Sequence, residues 1–222
     1  MKRSKFVLGI FVSLMLMIIV NSCGQFINPG DFTEYFKSMK IASYKADKIA
    51  LLPIQPDDTT NSGAYFSTNH FYNYLVEKYT DKQFADIDWI REFDCSFIND
   101  QLDFIDENKI FDLPEFYKTD LGYELLNDNY DAIIITRIDS VGNQFGIFFD
   151  SNPRNLMGWY SYCQLTTYLV SLSDGKIIWK CGAIGEDFYE APETEKDKSP
   201  PLDFSITDAI DNIVTGLPPE LF

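Results

Sequence analysis

Apolar residues recur along this chain in three spacings: unbroken runs, alternate positions, and every third or fourth position. Residues 6–20 form the longest run, nearly unbroken, and carry no charge. Residues 48–54 (Lys48-Ile-Ala-Leu-Leu-Pro-Ile54) are a short continuous run ended by proline, which predicts a buried strand. Phe66, His70, Phe71, Tyr74, Leu75 and Tyr79 then fall at helical spacing. Residues 85–90 alternate at period two, predicting a strand with Ile87 and Trp89 on one face. Short helices are expected around 102–107 and after Pro114, and Leu121, Leu125 and Leu126 mark another that ends near Asn127. Residues 131–138 are the strongest buried strand. Two further strands at 160–172 and 176–183 meet at Ser173-Asp174-Gly175, a hairpin signal. The last element is a helix with Ser205 as its expected cap and Asp208 three residues on. Ile206, Ile210, Ile213 and Val214 form its apolar stripe, and Gly216 ends it. This order predicts an α+β or mixed α/β fold, a mixed sheet with helices packed on it and a C-terminal strand hairpin followed by a helix.

The first apolar run changes the picture of the whole chain. Lys2, Arg3 and Lys5 precede it and Asn21-Ser22-Cys23 follows, which is the three-part pattern of an export signal. The run is shorter than the ~20 residues a spanning helix needs. Val20-Asn21-Ser22-Cys23 resembles the lipobox of bacterial lipoproteins. Val20 and Ser22 fit it; Asn21 departs from the small residues usual there, so ordinary signal-peptidase cleavage is the alternative. The resemblance implies cleavage between Ser22 and Cys23, and diacylglycerol and palmitate-type acyl chains on Cys23. Each buried methylene contributes about 0.8 kcal/mol, and stable anchoring takes more than one chain. The expected organisation is a lipoprotein signal peptide at 1–22, a lipid-anchored tether at 23–46 and a single α/β domain at 47–222. Gly24 follows the cysteine where an inner-membrane retention signal would have Asp, which points to the outer membrane, facing the periplasm.

Charge narrows the partners. Lys+Arg number 18 and Asp+Glu 34, for a net charge of −16; losing Lys2, Arg3 and Lys5 with the signal makes it −19. Nucleic acid is excluded on these numbers, because phosphate binding needs a basic footprint. A basic protein partner suits the acidity, and so does simple solubility. Self-association is left open. Cys95, Cys163 and Cys181 remain after Cys23, with no CxxC pair that would suggest zinc.

The runs at 48–54 and 129–138, the segment 165–179 ending Asp174-Gly-Lys-Ile-Ile-Trp179, and Leu217-Pro218 after the last helix resemble a group of envelope lipoproteins with a small α/β domain. The group includes the penicillin-binding-protein activator LpoB, the curli secretion lipoprotein CsgG and the amino-terminal domain of TolB. It implies a binding or assembly module for an envelope complex and not a catalyst. The alternative is an auxiliary lipoprotein of an ABC-type transport system that holds an apolar ligand.

The residues themselves assemble no catalytic set, and no metal or cofactor is expected. His70 is the one histidine, and no GxSxG, GxGxxG or GxxxxGK[ST] sequence is present. Asp57-Asp58 and Asp86/Asp88 read as solvated acids. The stretches 99–103 and 127–131 lack the central Gly and closing Glu of a calcium loop. The most unusual stretch is 144–162, which holds Phe145, Phe148, Phe149, Met157, Trp159 and Tyr160 around a turn at Ser151-Asn-Pro153. Two readings stand: a hairpin extension packed on its own domain, or an aromatic patch offered to a partner protein.

Overall fold

Runs bounded by turn residues become strands, and the helical stripes become helices. The computed structural model describes residues 39–40, 44–54, 61–108, 110–149 and 155–217. Its contacts divide the chain into Met1–Glu34 and Tyr35–Phe222, and every described residue belongs to the second unit. The strands are β1 (Met39–Lys40), β2 (Lys48–Leu51), β3 (Gln83–Phe84), β4 (Ala132–Phe149), β5 (Asn155–Ser171) and β6 (Ile177–Glu190). They form one sheet in the order β1-β6-β5-β4-β2-β3. β3, β2 and β4 run parallel, and β4, β5, β6 and β1 antiparallel. Parallel neighbours need crossovers. α1 (Asn61–Lys78) supplies the first, between β2 and β3. α2 (Ile87–Ile90), α3 (Ile98–Asn108), α4 (Leu113–Phe116) and α5 (Asp120–Asn127) supply the second, between β3 and β4. α6 (Asp203–Thr215) follows β6. The fold is thus mixed α/β, with the C-terminal hairpin and helix the sequence predicts.

Both faces of the sheet are buried, which is why its central strands read as continuous apolar runs. On one face Ile49, Leu51, Ile134, Leu165 and Trp179 pack with Phe71 and Leu75 of α1 and with Ile206, Ile210 and Ile213 of α6. On the other, Ala50, Ile133, Ile135, Tyr168 and Val170 pack with Ile90, Leu102, Phe116, Leu121 and Leu125 of α2–α5. Burying each large side chain contributes roughly 1.5–3 kcal/mol. The start of β2 is clamped to β4 by Asp131, whose carboxylate accepts from the backbone N–H groups of Asp47 and Lys48, both at 2.9 Å. At the hairpin, Gly175 has φ +71°, and a Cβ there would lie 2.6 Å from the Phe111 carbonyl oxygen.

Two sequence expectations are corrected. Residues 85–90 are not a strand: the ladder ends at Phe84, and Asp86 accepts from the Asp88 N–H at 2.8 Å and caps α2. Ile87 and Ile90, three apart, both turn inward, so a one-turn helix buries what a strand would have split between two faces. Ser205 does not cap the last helix. That helix starts a turn earlier, with Leu202 at the cap; Ser205 donates to the Leu202 carbonyl at 2.9 Å, and Asp208 accepts from the Glu186 N–H. His70 lies at the helix margin, its side chain 36% exposed and 2.7 Å from Asp211 of α6. Residues 99–103 lie within α3, and Asp86 and Asp88 sit at α2. Asp57-Asp58 falls outside the described residues. Met39–Lys40 pair with Lys180 and Trp179, and Ala46 is fully buried, so parts of the 23–46 stretch contribute to the sheet and its core.

Candidate functional site

The candidate site is an arm in which β4, β5 and β6 run on together past the helices. β4 pairs with β5 from Ala132↔Ser171 to Phe149↔Asn155, and β6 follows β5 as far as Gly158↔Glu190. Among the described side chains, those of residues 142–147 and 156–159 contribute to neither core. A register shift between Ile138 and Ser140 marks the arm's root. It leaves Asp139 as the extra residue of a bulge, a device that bends a strand and raises its twist. The Asp139 carboxylate accepts from Arg137 Nε at 2.7 Å and from the Thr166 hydroxyl. Arg137 also reaches Asp103 of α3 at 3.5 Å, which ties the bulge to the helical layer.

Cross-strand partners share a face. One face carries the rows Asn143–Ser161–Asp187 and Phe145–Trp159–Tyr189, and then Ile147 beside Met157. Phe145 meets Trp159 edge-on, with centroids 5.4 Å apart. The chain after β6 folds back against this face. Trp159 Nε1 donates to the Glu195 carbonyl at 3.3 Å, and Asn143 Nδ2 donates to the Pro200 carbonyl at 3.0 Å. Phe145, Met157 and Trp159 are half-buried, while Ile147 is 54% and Tyr189 52% exposed.

Tyr160 belongs to the opposite face. It is buried, stacks on Tyr162 and donates its hydroxyl to the Glu186 carboxylate. Burial, then that carboxylate, push the Tyr160 hydroxyl well above the usual phenol range. Tyr162 lies across Gly142, where a Cβ would come 2.9 Å from its ring. The sequence grouped Phe145, Met157, Trp159 and Tyr160 as one surface; the strand period divides them between two faces. The side chains of Phe148 and Phe149 lie outside the described part, as do the turn at Ser151-Asn-Pro153, and Ser22 and Cys23.

The sequence missed Tyr189 as a member of the patch. The second hairpin strand was expected to end at 183, yet it runs to Glu190, and Tyr189 two positions after Asp187 is the period-two signal of a strand. It also missed Arg137 and Asp139, because a bulge leaves no hydrophobic signature.

Nucleophilic chemistry finds little support in the thiols. Burial, and after it the Asp139 charge, raise Cys163 to about 12; burial raises Cys181 to about 11, and burial with the Asp94 charge raises Cys95 to about 11. Thiolates are the reactive species, and burial favours the protonated thiol in all three. Among the described residues no group of three or more His, Cys, Asp or Glu side chains converges as metal ligands would. No described helix is long and apolar enough to cross a membrane.

No protein-family model matches the sequence, and no curated protein matches it. Solved structures similar to this chain include bacterial lipoproteins. The lipoprotein GNA1162 from Neisseria meningitidis is 12% identical, covers 68% of this chain and 90% of its own, and has a TM-score of 0.42. A minor lipoprotein from Acinetobacter baumannii is 11% identical, with coverages of 77% and 91% and a TM-score of 0.36. The PelC dodecamer from Paraburkholderia phytofirmans is 11% identical, with coverages of 82% and 95% and a TM-score of 0.43. All three scores lie below 0.5.

Proposed function

We propose that this chain is a membrane-anchored bacterial lipoprotein, held by lipid on Cys23, that serves as a periplasm-facing binding or assembly factor for a cell-envelope protein complex. The observation that carries the binding role is the arm. Its exposed Ile147 and Tyr189 border the half-buried Phe145, Met157 and Trp159 on one face, outside both cores. Aromatic and Met side chains are what interfaces favour. The role is one of binding and not catalysis, in keeping with thiols held protonated. The anchor rests on the basic flank, the uncharged run and the cysteine at the cut.

Two substitutions test it separately. Cys23→Ala moves the mature protein from the membrane to the soluble fraction of the envelope; protein that stays with the membrane refutes the anchor. Ile147→Asp with Tyr189→Asp, both on exposed side chains, removes the protein adducts captured by cross-linking in intact envelopes and leaves circular dichroism unchanged. Undiminished adducts in that double variant would take the binding role away from this face.

A further inference from the structure

The segment that joins β6 to α6 is a strap laid along the aromatic face of the arm. Ala191 N–H donates to the Met157 carbonyl at 3.0 Å, the Glu195 carbonyl accepts from Trp159, and the Pro200 carbonyl accepts from Asn143. α6 then begins at Asp203 and crosses Gly185. The strap therefore runs from the Met157 row back toward the helices, and its backbone ties it down. Its side chains contribute little: from 192 to 201 all are exposed except Glu195 and Pro200, which are half-buried. A segment with so few buried contacts opens at low cost. The donors beneath it, by contrast, are fixed in place. The hydroxyl of buried Ser161 donates to Asn143 Oδ1, which turns Nδ2 toward the Pro200 carbonyl and the Ser199 hydroxyl. The Trp159 ring is held edge-on by Phe145.

We infer that this face is a docking groove for a peptide segment of a partner protein, with the strap as its resident occupant, displaced when the partner binds. The inference rests on the binding role proposed above and names the chemistry of the partner segment. That segment offers backbone carbonyls to Trp159 and Asn143, as the strap does. Proline keeps it out of helix and sheet, as Pro192, Pro200 and Pro201 keep the strap. Pro192 has φ −68° and ψ 157°, the polyproline backbone. The segment also carries an apolar side chain for Ile147 and Tyr189, which are 54% and 52% exposed with the strap in place. This contact decides the competition. A strap tethered at both ends competes at an effective concentration on the order of millimolar. A partner displaces it by covering apolar surface that the strap leaves in water.

The test asks whether the strap can be exchanged. The probe is a dye-labelled synthetic peptide with the sequence of residues 192–201, titrated up to millimolar concentration against the full chain in nonionic detergent and read by fluorescence anisotropy. Pro200→Gly with Pro201→Gly gives the released strap more freedom and so weakens it as a competitor. The expected result is that this variant binds the peptide about tenfold more tightly than wild type. Adding Trp159→Phe and Asn143→Ala, which removes both donors, cancels the gain. A merely loosened fold would bind the peptide with or without those donors, so binding that survives their loss overturns the proposal. So does a loosened-strap variant that binds no peptide, or binds it no better than wild type. The titration contains no partner protein, so its failure strikes the strap inference alone, whereas envelope adducts undiminished by Ile147→Asp with Tyr189→Asp strike the binding role.

Discussion

Single residues set how closely the layers approach, and Gly185 is the clearest case. α6 crosses β6 directly over it: a Cβ at this position would lie 1.9 Å from the Ser205 carbonyl oxygen and 2.2 Å from the Ala209 nitrogen. Both are backbone atoms of one helix, so neither can swing aside as a side-chain tip could. Gly185→Ala therefore has to lift α6 from Cys181, Ala183 and Trp179, which pack with it. Overpacking of this kind costs about 1–3 kcal/mol. The expected outcome is a lower urea midpoint with an unchanged slope, read by tryptophan fluorescence, because Trp179 lies in that core. A midpoint equal to wild type would mean that the helix adjusts at no cost. Gly122 stands in a similar relation to the Phe116 carbonyl oxygen, 2.1 Å from its would-be Cβ. It lets the first turn of α5 close over α4 under the Thr119 cap, whose hydroxyl accepts from the Gly122 N–H at 3.0 Å.

Elements were legible in the sequence wherever burial alone decides the structure. β2, the first half of β4, the hairpin at Ser173-Asp174-Gly175 and helices α1, α3 and α5 follow from apolar spacing, because each has one answer that hides its large side chains. The failures have local polar causes. At 85–90 the alternation is real, but the Asp86 carboxylate bonds the Asp88 N–H and starts a turn; four residues are too few for spacing to separate period two from period three. At the last helix, Ser205 followed by Asp208 imitates a capping pair, yet Phe204, 68% exposed, and Asp203 extend the helix backwards. The arm was legible as an aromatic stretch and not as a three-stranded ribbon. Ser140, Gly142, Asn143 and Gln144 break the apolar pattern of β4 because this part of the strand belongs to neither core apart from Val141. Sequence signals for strands report burial; a strand held mainly by its neighbours' backbones gives little of it.

At the scale of the whole molecule, the three thiols and the phenols give stability a dependence on alkaline pH whose sign can be worked out. In the unfolded chain a thiol titrates near 9; in the fold Cys163 is raised to about 12, and Cys95 and Cys181 to about 11. Tyr79 is raised from 10 to about 12, chiefly by burial, and Tyr160 is raised as well. All these groups are neutral when protonated, and the fold keeps them so. Above pH 9 the unfolded state loses protons that the folded state retains, so it binds fewer, and stability falls as pH rises. The contribution is fully present below pH 9 and is lost progressively up to about 12 for Cys163. Within its window each group lowers stability by up to about 1.4 kcal/mol per pH unit. Urea midpoints should therefore hold level from pH 7 to 8.5 and drop steeply from pH 9 upward. Cys163→Ala leaves a small void and lowers the midpoint at every pH, but it removes one titrating group and so makes the alkaline slope shallower. The two effects separate cleanly, since one is an offset and the other a slope. An unchanged slope in that variant would mean that Cys163 meets solvent in the folded chain, and with it that the sheet beneath α6 opens far more readily than its packing implies.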